Sequence, residues 1–181
     1  MSFQFGDVVL MHGNDPISYA IEYLTHSYWS HAMVALDEGT FAQMGPLGLI
    51  IEKKPPDMPH LVLRHRELLS PNSPRAREIL GQMRQVVNDI SSKRPLFDYA
   101  SMLRLGVDLI RKRMRASVSG EEMASFVCSA LVDYIYLKSG LDLLPGRKVT
   151  DTTPANLEEL AFGRQPVFQV VYDSRKASGQ V

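Results

Sequence analysis

SHAMVALDEGTFAQM, residues 30–44, decides how this chain begins to fold. His31 to Leu36 is a short apolar run opened by one imidazole. Asp37-Glu38-Gly39 is a hairpin turn signal, and Thr40 to Met44 reads as the returning strand. Strands joined by so short a turn run antiparallel, because parallel neighbours need a crossover of about a dozen residues or more. Side chains alternate faces along a strand, so Phe41 and Gln43 share one face while Thr40, Ala42 and Met44 share the other.

Outward from this hairpin, further strands are expected at Val8–Met11, after Gly6-Asp7, and at Leu49–Ile51, Leu61–Leu63 and Val167–Tyr172. Asn14 and Asp15 before Pro16 open a helix with Ile17, Ala20, Ile21 and Leu24 at helical spacing, ending near His26 and Ser27. Ser73-Pro74 opens the clearest helix, striped by Ala76, Ile79, Leu80, Met83, Val86, Val87 and Ile90. Another is expected over Tyr99 to Met114, carrying Arg104, Arg111, Lys112, Arg113 and Arg115 against Asp108. A third begins at a Ser125 cap and is terminated by Gly140, and Thr153-Pro154 caps a short one through Leu160. With no internal repeat or composition break, residues 1–181 read as one α+β domain.

The chain has 181 residues, enough for one well-buried core, and its 45% hydrophobic content is that of a globular domain. Twenty basic residues balance twenty acidic ones, so no net field invites nucleic acid. No run approaches the roughly 18 apolar residues of a membrane-spanning helix. The N-terminus lacks a secretory pattern, so the cytoplasm is the default location, with signal-independent export equally compatible. One cysteine forms no internal disulfide.

That cysteine, Cys128, is either a small apolar core residue or a nucleophile. With Ser125 as cap it would fall in the first turn of its helix, where unpaired N–H groups and the dipole favour a thiolate. Its own N–H would there help to bind an oxyanion. Of the five histidines, none is spaced for a zinc-binding helix, so no metal or other cofactor is expected. His31, at the mouth of an apolar strand, is either a structural hydrogen-bonder or the imidazole of a thiolate–imidazolium dyad. Gln43, the polar residue among Phe41, Ala42 and Met44, is either solvent-facing or the amide acceptor that orients His31. Tyr23, Tyr28 and Trp29 read either as core or as walls of a cleft near His31, Asp7 as fixing the turn into the first strand, and His12 as a candidate that could reach the site from the end of that strand.

Three segments together resemble the circularly permuted papain-like amidases and peptidases of the NlpC superfamily, most closely the YiiX-like branch. They are GDVVLMHGNDPISYAIEYLTHSYWSHAMVAL, TFAQM and FVCSALVDYIY, with TTPANLEEL as a later echo. The distinctive feature is order, because the histidine precedes the cysteine. The resemblance implies a permuted papain-like fold, an antiparallel sheet or half-barrel packed on helices with the nucleophile at a helix N-terminus. It implies a Cys128–His31–Gln43 triad, although a glutamate is common in the family where Gln43 stands. The implied activity is hydrolysis of a peptide amide, as in cell-wall stem peptides, without a cofactor. Lipid acyl hydrolysis or transfer by the same fold is the alternative. The basic helix is either an ordinary solvated face or a contact to an anionic membrane surface or an anionic substrate. A catalytically silent binding module is the third reading. Both enzyme readings require the sulfur to meet His31 and to be open to substrate.

Overall fold

The first strand is fixed by the turn that precedes it. Gly6 has φ +90°, and a Cβ there would sit 2.9 Å from Leu68 Cδ1, so only glycine fits. Asp7 is buried and accepts from the backbone N–H of Gln4 and from Nε and Nη2 of Arg64, at 2.8, 2.7 and 2.8 Å. The Tyr136 hydroxyl donates to the carbonyl of Gly6. Asp7 therefore anchors the strand, as the sequence suggests. The computed structural model describes residues 2–14, 16–45, 48–53, 57–92 and 120–177.

Six strands form one open sheet: β1 (Val8–Met11), β2 (His31–Ala35), β3 (Phe41–Gly45), β4 (Gly48–Glu52), β5 (His60–His65) and β6 (Phe168–Asp173). Their spatial order is β4-β3-β2-β1-β5-β6, and every neighbouring pair is antiparallel. The turn between β2 and β3 forms as its composition dictates: the Asp37 carboxylate accepts from Gly39 N–H at 2.8 Å and Thr40 N–H at 2.7 Å.

Alternation along the strands gives the sheet two apolar faces. One carries Val8, Leu10, Ala32, Val34, Met44, Leu61 and Leu63 into the main core. Two helices bring the facing side chains: α2 (Pro74–Ser92) supplies Ala76, Ile79, Leu80, Met83 and Val87, and α3 (Gly120–Lys138) supplies Cys128, Leu131, Val132, Ile135 and Tyr136. The opposite face gathers Val9, Met33, Ala35, Phe41 and Val62 under Phe3.

Helix α1 (Pro16–Thr25) ends with His26 at φ +52°, and Ser27 N–H reaches back to the carbonyl of Glu22. This is a left-handed cap made without glycine. Gly140, at φ +81°, ends α3 in the same way, with Leu141 N–H bonded to the Tyr136 carbonyl and Gly140 N–H to that of Leu137. Thr153 caps α4 (Pro154–Phe162) reciprocally with Asn156. The short α5 (Ser174–Ala177) follows β6.

One boundary differs in a way that matters. Helix α3 starts at Gly120, not at Ser125. Cys128 is thus the ninth of its nineteen residues, in the helix interior and away from the dipole's positive end. The expected helix from Tyr99 to Met114, with its basic residues, lies outside the described residues.

Candidate active site

His31 is placed by the ladder on either side of it. It pairs across β1 with Met11, and Ser30 N–H donates to the Met11 carbonyl at 2.9 Å. The Ser30 hydroxyl accepts from Gly13 N–H at 2.9 Å. Trp29, just before, is fully buried, with the Arg175 guanidinium 4.8 Å from its ring centre. Arg175 is itself held by Asp173 at 2.8 Å and Glu158 at 3.4 Å. The backbone that presents the imidazole is therefore tied from three directions.

Gln43 reaches His31 diagonally across the β2–β3 pair. Its direct partner is Met33, two residues after His31 and on the same face. The His31 Nε2 lies 2.6 Å from Gln43 Oε1. The amide nitrogen of Gln43 donates in turn to Glu52 Oε2 at 2.7 Å. Because an ionised carboxylate only accepts, the amide oxygen must face the ring and Nε2 must carry the hydrogen. Nδ1 is left for the sulfur.

Helix α3 packs on the main-core face of β2 and β3, opposite the face of Met33, and brings Cys128 against the start of β2 beside His31. The backbone N–H of Ala32 donates to Cys128 Sγ at 3.2 Å. Next in sequence, the Ser129 hydroxyl donates to the Thr152 carbonyl at 2.7 Å, and the Thr152 hydroxyl to Asp133 at 2.6 Å. These bonds fix the helix rotation that aims Cys128 at the sheet. His31 feels two opposed effects. Burial acts to lower its pKa, but the charge of Cys128, a hydrogen bond to that residue and the Gln43 amide together raise it to about 8.

The three residues expected to form the site are brought together, but two expectations about Cys128 are overturned. It is not at a helix N-terminus, so in a regular helix its N–H is bonded to the carbonyl four residues back and is not free to bind an oxyanion. The donor aimed at sulfur is Ala32 N–H, from the sheet. Nor is the sulfur open: Cys128 is 0% exposed and belongs to the main core. A small, polarisable side chain packs readily among Ala32, Leu131 and Val132, and the helix presses it there.

Other candidates have separate places. His12 Nδ1 faces Glu22 Oε1 at 2.7 Å and the Tyr28 carbonyl at 3.1 Å, and its ring stacks on Tyr28. His60 and His65 bond to nearby backbone, at Met58 O and Glu67 N respectively. Of the aromatics read as core or cleft wall, Trp29 is buried, whereas Tyr23 and Tyr28 are exposed. The Trp29 Nε1–H is a buried donor without a partner among the described residues. Among the described residues no three of His, Cys, Asp and Glu are grouped to hold a metal ion, and no helix is long and apolar enough to cross a membrane.

Two participants escaped the sequence reading, Glu52 and the Ala32 N–H. Glu52 faces Phe41 across β3–β4, which puts it on the Gln43 face. Alternation would have exposed it once that register was known. No family model matches this chain, and no curated protein matches it.

Proposed function

We propose that the protein is a cysteine hydrolase of permuted papain-like fold that cleaves an amide bond through Cys128, His31 and Gln43. The observation that carries this reading is the position of one imidazole, bonded through Nε2 to the Gln43 amide at 2.6 Å and interacting on its other side with Cys128. A thiol, a base and an acceptor that fixes the tautomer are the parts that acyl transfer to sulfur requires. The resemblance in the order His31, Gln43, Cys128 supports the same conclusion.

In this mechanism His31 takes the thiol proton on Nδ1, and Sγ attacks the carbonyl carbon to form a C–S bond. The carbonyl π electrons move onto oxygen. As they return, the C–N bond breaks and the imidazolium proton passes to the departing amine. Water then gives a proton to His31 and adds to the thioester. Collapse expels the sulfur, the proton returns to it, and a carboxylic acid leaves. Gln43 holds the ring in one orientation throughout.

Peptide amides, as in cell-wall stem peptides, are the substrate class this reading favours, with acyl esters of lipids as the alternative. The test is hydrolysis of peptidoglycan fragments and of lysophospholipid by wild type, Cys128→Ala and His31→Ala. Amide cleavage lost in both variants supports the assignment, ester cleavage lost in both reassigns the substrate, and cleavage of neither counts against an enzyme. Burial of Cys128 favours a second reading, a binding module that keeps the fold without turnover. Acyl transfer demands an opening of this closed arrangement, and the silent module does not.

A further inference from the structure

The Gln43 amide has two possible orientations, and only one serves His31. With Oε1 toward the ring it accepts from Nε2; turned over, its NH2 would donate there and favour the opposite tautomer and a neutral ring. Nothing within Gln43 itself selects between them. The selecting group is on the next strand: Glu52 Oε2 lies 2.7 Å from Gln43 Nε2. We infer that Glu52 is a positioning residue, which locks the Gln43 amide and thereby the hydrogen on His31 Nε2. Its value for catalysis rests on the hydrolase reading; its effect on the ring does not.

The geometry is that of a relay across three strands. Glu52 ends β4, Gln43 is central in β3 and His31 opens β2, all on one face by register. Glu52 is exposed at the outer end, Gln43 and His31 are partly buried, and Cys128 is sealed at the inner end. Among the described residues, the groups against the imidazole are Cys128 from α3 and the neutral Gln43 from β3, while Met11, its neighbour on β1, carries no charge. Glu52 therefore acts on the ring through an oriented dipole as well as through its charge.

A double-mutant cycle separates those two routes. The His31 titration midpoint is followed by NMR in the whole chain for wild type, Glu52→Ala, Gln43→Leu and the double variant. Glu52→Ala should lower the midpoint by about half a unit or more, because the freed amide can then donate to a neutral ring. In the Gln43→Leu background the same substitution should lower the midpoint clearly less, by the part that charge alone supplies. An unchanged midpoint in Glu52→Ala overturns the inference. So does a shift of equal size in both backgrounds, which would mean that charge alone is acting. Where amide turnover is measured, Glu52→Ala should lower kcat about tenfold with KM nearly unchanged. Absence of turnover in wild type would remove the hydrolase reading and leave the NMR cycle to decide the role of Glu52.

Discussion

The imidazole of His31 and the amide of Gln43 meet at 2.6 Å across a hairpin, twelve residues apart in the chain. The contact follows from strand pairing: Met33 opposes Gln43, so the side chain two residues before Met33 on the same face is within diagonal reach. Replacing Gln43 by Leu keeps the strand and removes the acceptor. Amide turnover should fall at least about tenfold, and His31 should titrate lower, since the Gln43 bond helps to hold its pKa up. Steady-state kinetics with an NMR titration checks both.

Gln43→Glu, the residue common in the resembled family, should not improve this protein. It would set a second carboxylate against Glu52, where a 2.7 Å hydrogen bond now stands. Like charges that close repel, and one must bind a proton or move away. The single variant should be less stable by about 1–2 kcal/mol, and Gln43→Glu with Glu52→Gln should recover most of that loss. Urea midpoints of the three chains measure it.

The raised pKa of His31 makes stability depend on pH with a definite sign. The folded value of about 8 exceeds the ordinary 6.5, so the folded state binds the proton more tightly. The contribution is complete below about pH 6.5 and is lost as pH rises through about 8. Its size is on the order of 2 kcal/mol at most. Urea unfolding of wild type should weaken between those pH values relative to His31→Gln. Turnover that needs the imidazolium should decline over the same rise.

The left-handed turn at His26 offers a control outside the Cys128–His31–Gln43 cluster. A non-glycine residue at φ +52° carries backbone strain, and His26 is exposed. His26→Gly should raise stability by up to about 1 kcal/mol, less whatever glycine adds to the entropy of the unfolded chain. Thermal unfolding with unchanged His31 titration checks it.

Much of the architecture was legible because its signals are local. Asp37-Glu38-Gly39 specifies a hairpin, Ser73 caps α2 by accepting from Ala76 N–H at 3.1 Å, and the stripe from Ala76 to Val87 is the buried face. The hairpin's alternation left Gln43 open between solvent and His31, and the resemblance joined the two. The start of α3 was not legible. Ser125 is a good cap, but Glu121, Glu122, Met123 and Ala124 favour helix, and the segment continues through the serine from Gly120. Closure over Cys128 was invisible for another reason: a buried thiol and a reactive one occupy the same small apolar context in sequence. Glu52 needed the β3–β4 register, and the sequence Gly45-Pro46-Leu47-Gly48 lacks the Asn-Gly or Asp-Gly signal that marks a two-residue hairpin.

The central claim is that the sulfur of Cys128 and the imidazole of His31 act as one reactive pair in the folded protein. Iodoacetamide labelling of native protein at about pH 6, where an ordinary thiol with pKa near 8.5 is almost unreactive, tests it most directly. Wild type should label at Cys128 alone and His31→Ala should label many times more slowly. Equal rates in the two chains, or labelling only after denaturation, would contradict the pair and leave Cys128 as a core residue.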